Sequence, residues 1–380
     1  MAIVGVICEY NPFHRGHRKQ FSLIRQHFGE ETAIVCLMSG NYVQRGAPAM
    51  FDRTVRARAA LLCGANLVLE LPVTASLSSA EGFASAGVAI LSPLCDHLCF
   101  GAERGDTASL MGTAEALLSP SFSAVLRTEL ASGVSFPAAR QRALEAMDIS
   151  GVLPEKPNDI LAVEYCKAIL AQGSALLPFP VTRQGSYHAE TPDPENPSAT
   201  ALRRRVLSGE SWLDYVPKEA VPCFAGAAVH TLGTGERAIL ARLRTMTDEE
   251  FEALPYGSEG LWRRLMHISR EAGSLEEILT EVKTKRYTRS RLDRMVLCAF
   301  LDLTQADLNA PAPYARVLAF DNRGRAVLRG SSFCKNLGWQ GSGGYAALER
   351  RCNALYGLFC RDSIPPANAA QKQRLFCLHR

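Results

Sequence analysis

His14 and His17 flank Gly16 a few residues after the apolar run 2–8, and their types and spacing suit phosphate chemistry. Imidazoles three residues apart share one face of a helical turn and donate hydrogen bonds to phosphate oxygens. Gly16 keeps the backbone bare where a nucleotide would approach. On its own the pair could equally be incidental, or half of a metal site. Its position is what carries meaning. The run 2–8 reads as a buried strand, Asn11-Pro12 forces a turn, and residues 18–28 carry the helical spacing Phe21, Ile24, Phe28. A strand, a loop and a helix start present free N–H groups and the positive end of a helix dipole, so an anion is the natural occupant.

The elements that must position this loop follow from the periodicity. Strand-like runs recur at 32–38, 66–71, 96–100 and 175–181, separated by helical patterns at 52–63 and 78–91. This alternation predicts an α/β fold with a parallel sheet and right-handed crossovers, whose ligands sit at the carboxyl ends of the strands. Three features should meet there: the His14 loop, the loop 39–46, and residues 100–103 with Gly101. From 106 to 170 the pattern is helical, with boundaries at Ser119-Pro120 and Phe136-Pro137. Asn158 reads equally as a helix cap or a ligand contact, and Gly101 equally as a turn residue. Ser198, Thr200 and Arg203 open another helix, either as a plain cap or as a second anion site. The acid- and proline-rich stretch 190–197 before them reads as a loop.

The wider strings carry a family resemblance. His14-Arg-Gly-His17 is similar to the HxGH signature of the adenylyl-transferring superfamily that includes class I aminoacyl-tRNA synthetases. Glu9-Tyr-Asn-Pro-Phe-His-Arg-Gly-His17, Ser39-Gly-Asn-Tyr-Val-Gln-Arg-Gly46 and Lys156-Pro-Asn-Asp159 together resemble the bacterial tRNA(Met) cytidine acetate ligases. The resemblance implies a nucleotidyltransferase-like (HUP/Rossmann-like) domain that uses ATP, with magnesium expected beside it. It also implies activation of acetate as acetyl-adenylate and acetylation of N4 of the wobble cytidine of elongator tRNA(Met). It assigns ATP contact to Ile7, Cys8, Glu9, Tyr10, Asn11, Pro12, Phe13, His14, Arg15, Gly16, His17, Arg18, Lys19 and Gln20. Gly101, Asn158 and Arg183 belong to the same implied site, with Ser198, Thr200 and Arg203 as its second phosphate-binding element. The implied chemistry falls to His14, His17 and Arg183. This chain lacks the lysine-rich second element of the synthetases, so the likeness to those enzymes is loose there.

Composition bounds the rest. The 380 residues, 47% hydrophobic and 21% charged, can bury a large core and are expected to divide into a catalytic domain, 1–212, and a mainly α-helical domain, 213–380. A net charge of +4 tolerates nucleic acid without demanding it, so an RNA surface must come from local clustering. The outstanding cluster is 283–294, with Lys283, Lys285, Arg286, Arg289 and Arg291 around Tyr287. It reads as an RNA-phosphate contact with a stacking aromatic, or as a solvated face. The twelve cysteines are scattered without a Cys-x-x-Cys pair and read as reduced core residues of a cytoplasmic protein. No metal ligand set, signal peptide or bilayer-spanning run is expected, and neither a membrane nor DNA is an expected partner. Two other readings stay open: an adenylyltransferase for a small phosphorylated metabolite, and a non-catalytic RNA-binding protein on a vestigial ATP fold.

Overall fold

The computed structural model describes residues 1–103, 106–147, 157–182, 193–194, 196–311, 315–330, 343–362 and 375–378. The first part alternates as expected: β1 (Ile3–Cys8), α1 (Arg15–Phe28), β2 (Ala33–Ser39), β3 (Tyr42–Val43), β4 (Ala47–Pro48), α2 (Arg53–Leu62), β5 (Leu67–Leu71), α3 (Val73–Ser76), α4 (Ala80–Leu91) and β6 (His97–Ala102). Helices α5 (Thr107–Leu118), α6 (Pro120–Ala131), α7 (Phe136–Ala146) and α8 (Pro157–Ala171) follow, then β7 (Leu177–Thr182) and α9 (Ala199–Ser208). Ser119 makes the expected boundary, because its Oγ accepts the Phe122 N–H at 3.2 Å and opens α6. Every residue of β2 and β5 is buried, as strands covered on both faces by helices must be.

The sheet order is β7-β6-β1-β2-β5-β8-β9. All pairings are parallel except that of β5 with β8 (Arg316–Asp321); β9 (Phe376–Leu378) runs parallel to β8. Residues beyond 213 therefore return to complete the sheet that the first part begins. Asn66 fixes the return. Its Oδ1 accepts the Ile34 N–H, its Nδ2 donates to Asp321 Oδ2, and its carbonyl accepts the Asp321 N–H, all within 2.9 Å.

Between these strands the chain is helical: α10 (Val221–Phe224), α11 (Glu236–Thr245), α12 (Asp248–Glu252), α13 (Leu261–Glu271), α14 (Leu275–Val282), α15 (Arg289–Leu301) and α16 (Gln305–Asn309), with α17 (Asn322–Gly330) and α18 (Gly343–Tyr356) after β8. Helices α11, α13, α14 and α15 bury Ile239, Leu265, Ile278 and Leu297 in one apolar cluster. Among the described residues no helix is long and apolar enough to cross a membrane, and the described cysteines are free thiols.

Two buried arginines on α2 organise the strand ends. Arg56 is wholly buried, with Nε donating to the Phe51 carbonyl (2.8 Å), Nη1 to those of Glu9 (2.6 Å) and Ser39 (3.0 Å), and Nη2 to that of Gly40. Burial lowers its pKa, yet an arginine so supplied with carbonyls stays charged. Arg53 pairs with Glu70 at 2.9 Å and also donates to Asn353 of α18. Nearby, Glu349 accepts the Val73 N–H at 2.8 Å, and burial followed by the Glu70 charge pushes its carboxyl up to about 7.

Two outcomes follow. Arg56→Met strips four carbonyls of their donor while filling similar space, and should cost about 3 kcal/mol or more of unfolding free energy in a urea titration with an unchanged slope. Glu349 binds its proton more tightly folded than unfolded, so its contribution is fully present below about pH 4.5 and is lost as pH rises toward 7. Glu349→Gln should therefore flatten the fall in stability between those two values in pH-dependent melts.

Candidate active site

At the carboxyl ends of β1, β6 and β7 lies a cavity of about 320 Å³. Its floor is the turn after β1. Tyr10 adopts a left-handed backbone (φ 47°), and its hydroxyl meets Cys36 Sγ at 3.3 Å. Tyr10 and Phe13 pack ring to ring at 4.9 Å, and Phe13 is wholly buried. Helix α1 begins at Arg15, earlier than periodicity places it, because the histidines themselves form its first turn. His14 is the N-cap, and its N–H donates to His17 Nδ1 at 3.2 Å. That bond makes Nδ1 an acceptor, so the neutral His17 ring carries its proton on Nε2. The two rings stack 3.6 Å apart at 20° beneath the helix N-terminus, where dipole and donors favour anionic oxygens.

The opposite wall comes from α9. Ser198 is its cap, accepting the Ala201 N–H at 3.1 Å, so the plain capping role holds for this residue. Thr200 accepts from Arg203 Nη2 at 3.0 Å, and Arg203 Nη1 donates to the Asn11 carbonyl at 2.8 Å. This arginine ties the second helix start to the first loop and itself lines the cavity. Asn11 Oδ1 accepts the Met50 N–H at 2.8 Å, which braces the loop from the other side.

The third side is the end of β6 and the start of α8. Gly101 stands within β6 opposite Val181 and has no positive φ, so it is no turn residue. A Cβ there would meet no atom of the described residues within 4 Å beyond its chain neighbours, and Gly101 lines the cavity. Asn158 lies inside the first turn of α8 rather than at its cap, and its Nδ2 donates to Glu103 Oε1 at 3.1 Å. Asp159 Oδ1 accepts the Glu103 N–H at 2.7 Å and holds the strand end against the helix.

Of the stretch expected at the nucleotide, Ile7, Cys8, Glu9, Tyr10, Asn11, His14, Gly16, His17, Lys19 and Gln20 line the cavity. Pro12 and Phe13 are buried beneath the loop instead, because the turn folds them into the core. Arg15 reaches the Pro194 carbonyl at 3.5 Å, and Arg18 pairs with Glu219 at 2.7 Å, both outside the lining. Arg183 and Lys156 fall outside the described residues. Sequence reasoning passed over Arg45, Phe83 and Tyr165, which also line the cavity. Arg45 lay in plain view between Gln44 and Gly46; the two aromatics sat inside apolar helical runs without any separate signal.

The basic run is largely spent within the protein. Arg289 forms a two-point pair with Glu276 at 2.7 and 2.8 Å and reaches Asp293 at 2.9 Å, and the Glu276 contact holds its pKa up. Arg291 donates to the Tyr256 carbonyl and lies over the Tyr287 ring, 5.0 Å from its centre. Tyr287 is only 9% exposed, so its stacking partner is a protein guanidinium rather than a base. Lys283, Lys285 and Arg286 are exposed, the last paired with Glu259 at 2.7 Å.

Comparison with known proteins agrees with this geometry. The HIGH Nucleotidyl Transferase family model matches residues 1–336. The tRNA(Met) cytidine acetate ligase of Acetivibrio thermocellus is 33% identical over 353 residues, spanning 86% of this chain and 85% of that protein. That of Syntrophotalea carbinolica is 36% identical over 344 residues, spanning 86% and 82%. Among solved structures, Thermotoga maritima TmcAL matches over the whole of both chains with a TM-score of 0.89 and 26% identity. The same protein bound with alpha-thio ATP gives 0.86 and 27%. A stacked histidine pair at the head of α1, the facing arginine of α9 and a match along nearly the full length place the chain in the HIGH nucleotidyltransferase family, among the tRNA(Met) cytidine acetate ligases.

Proposed function

We propose that this chain joins acetate to tRNA(Met) at the expense of ATP, acting in the cytoplasm in two steps. In the first, an acetate oxygen attacks the α-phosphorus, acetyl-adenylate forms and pyrophosphate leaves. In the second, N4 of the wobble cytidine of elongator tRNA(Met) takes the acetyl group and AMP is released. The observation that carries the reading is the convergence of His14, His17 and Arg203 on one cavity from two facing helix starts. The names of the relatives supply the substrates.

Acetate is already an anion and needs no base. The first step therefore rests on positioning and on charge stabilisation at phosphorus. His17 Nε2–H, the N–H groups of α1 and the Arg203 guanidinium suit the phosphate oxygens; His14, buried and stacked on His17, fixes its partner's orientation. Arg183 is assigned to the same task. Gly101 and Asn158 suit the nucleoside side, where bare backbone and an amide meet the cavity. Magnesium entering with ATP would neutralise phosphate charge. It would be held mostly by phosphate oxygens and water, since it takes few protein carboxylates and no group of three potential ligands clusters among the described residues. Residues 213–380 are assigned to tRNA, with Lys283, Lys285 and Arg286 the members of the basic run whose exposure suits phosphate contact.

The decisive experiment incubates the protein with ATP, labelled acetate and tRNA. Acetate should drive exchange of labelled pyrophosphate into ATP, and mass analysis should find the label on one cytidine of tRNA(Met). Exchange driven by a phosphorylated metabolite instead, or RNA binding with no exchange at all, would sink the reading.

His17→Ala should slow acetate-dependent exchange by roughly a hundredfold or more, the usual cost of losing a preorganised donor to developing charge, and His14→Ala, which removes the ring that orients it, should slow it in the same direction, while ATP affinity changes far less. Gly101→Ala separates nucleotide contact from packing. With open space around the new methyl, its melting temperature without ligand should match the parent while its ATP requirement rises. Equal ATP dependence in parent and variant would remove Gly101 from the site.

A further inference from the structure

Acetyl transfer, on the two-step reading above, needs something the first step does not: an acceptor for the proton that leaves the cytidine amine. An exocyclic cytosine amine is a poor nucleophile, and its attack on an acyl carbon is helped by a base within hydrogen-bond reach. Glu9 is the sole carboxylate among the described residues that line the cavity. His17 Nδ1 is occupied by the His14 N–H, so that nitrogen is not available to take a proton.

Glu9 is also built into place. It follows directly on β1, and its backbone carbonyl accepts from buried Arg56 at 2.6 Å. Its Oε1 accepts the Gln44 N–H at 2.8 Å, and no described residue hydrogen-bonds its Oε2. Gln44 is itself held on two further sides, by Arg294 at its carbonyl (3.3 Å) and by its own Nε2 at the Ser78 carbonyl (3.4 Å). Gln44 belongs to the loop after β2, while Gly101 and Asn158 stand on the β6 side of β1, and Tyr165 of α8 also lies within electrostatic reach of the Glu9 carboxylate. With the nucleoside on that β6 side, the β2 side is where the acceptor amine would enter. Arg56 lies within electrostatic reach of Glu9 and offsets the carboxylate charge beside an incoming acetate.

We propose that Glu9 is the general base of acetyl transfer. The N4 lone pair forms the C–N bond to the acetyl carbon. The C–O bond to AMP breaks with its electron pair going to the phosphate, and the N4 proton passes to Glu9 Oε2 and then to solvent.

Glu9→Gln tests this, because its amide oxygen still accepts the Gln44 N–H while the base and its charge are lost. Acetate-dependent pyrophosphate exchange and acetyl transfer to tRNA are measured on the same preparation. Transfer should fall by roughly a hundredfold more than exchange, within the usual range for a positioned base. Glu9→Asp, which keeps a carboxylate on a shorter arm, should regain part of the transfer. If both half-reactions fall together, or if Glu9→Asp regains no more transfer than Glu9→Gln, Glu9 is a structural residue and the proposal fails. If the parent itself shows no acetate-dependent exchange, it is the ligase reading that fails, a result distinguishable from the other.

Discussion

The site depends on one buried guanidinium. Strands β1 and β2 end in carbonyls that no further ladder can satisfy, and the loops leaving them, 9–14 and 39–46, must both stay close to the cavity. Arg56 donates to Glu9, Ser39, Gly40 and Phe51 at once, and so joins two strand ends, the loop after β2 and the approach to α2. A carboxylate partner would have cancelled the charge but held fewer strands. Carbonyl dipoles suffice because arginine cannot release its proton.

The loop 39–46 is then fixed from outside by the helical part of the chain. Gly46 has a φ of 81° and lies so close to the second turn of α15 that a Cβ would strike the backbone of Asp293 and Arg294. Both its conformation and its contact require glycine. Tyr42 and Tyr356 send their hydroxyls to the carbonyls of Cys352 and Ala49 at 2.8 and 2.7 Å, joining the loop to α18. The hairpin that presents Gln44 and Arg45 to the cavity is thus clamped between the sheet and two helices of the second part. The basic run continues into α15, whose Asp293 and Arg294 meet the hairpin at Gly46.

The polar groups between these parts are arranged as a network rather than as separate pairs. Arg53, Glu70, Asn353 and Asn41 share bonds, and Glu349 is held beside them with a carboxyl near neutrality in pH. A buried network of this kind favours one relative placement of its elements, since any shift leaves a polar group without its partner. That rigidity would suit the first step of the proposed reaction, which rests on positioning.

Adjacent residues carried the local elements and the shape of the loop after β1. The run 2–8, the break at Asn11-Pro12 and the histidines at 14 and 17 carry their meaning in adjacent residues, where steric and periodic rules act. The same holds for Ser198, whose capping role is local. Tertiary structure decided the rest, because those choices lie in partners far apart in the chain. Asn158 could be a cap until its amide met Glu103, and Gly101 could be a turn until β7 paired beside it. Tyr287 could be a stacking platform until Arg291 covered it, and all four arginines of the basic run are engaged by carboxylates or carbonyls. No local pattern announces that residues after 315 close the sheet begun at residue 3, since an isolated short strand such as β8 gains its stability only from the edge it finds.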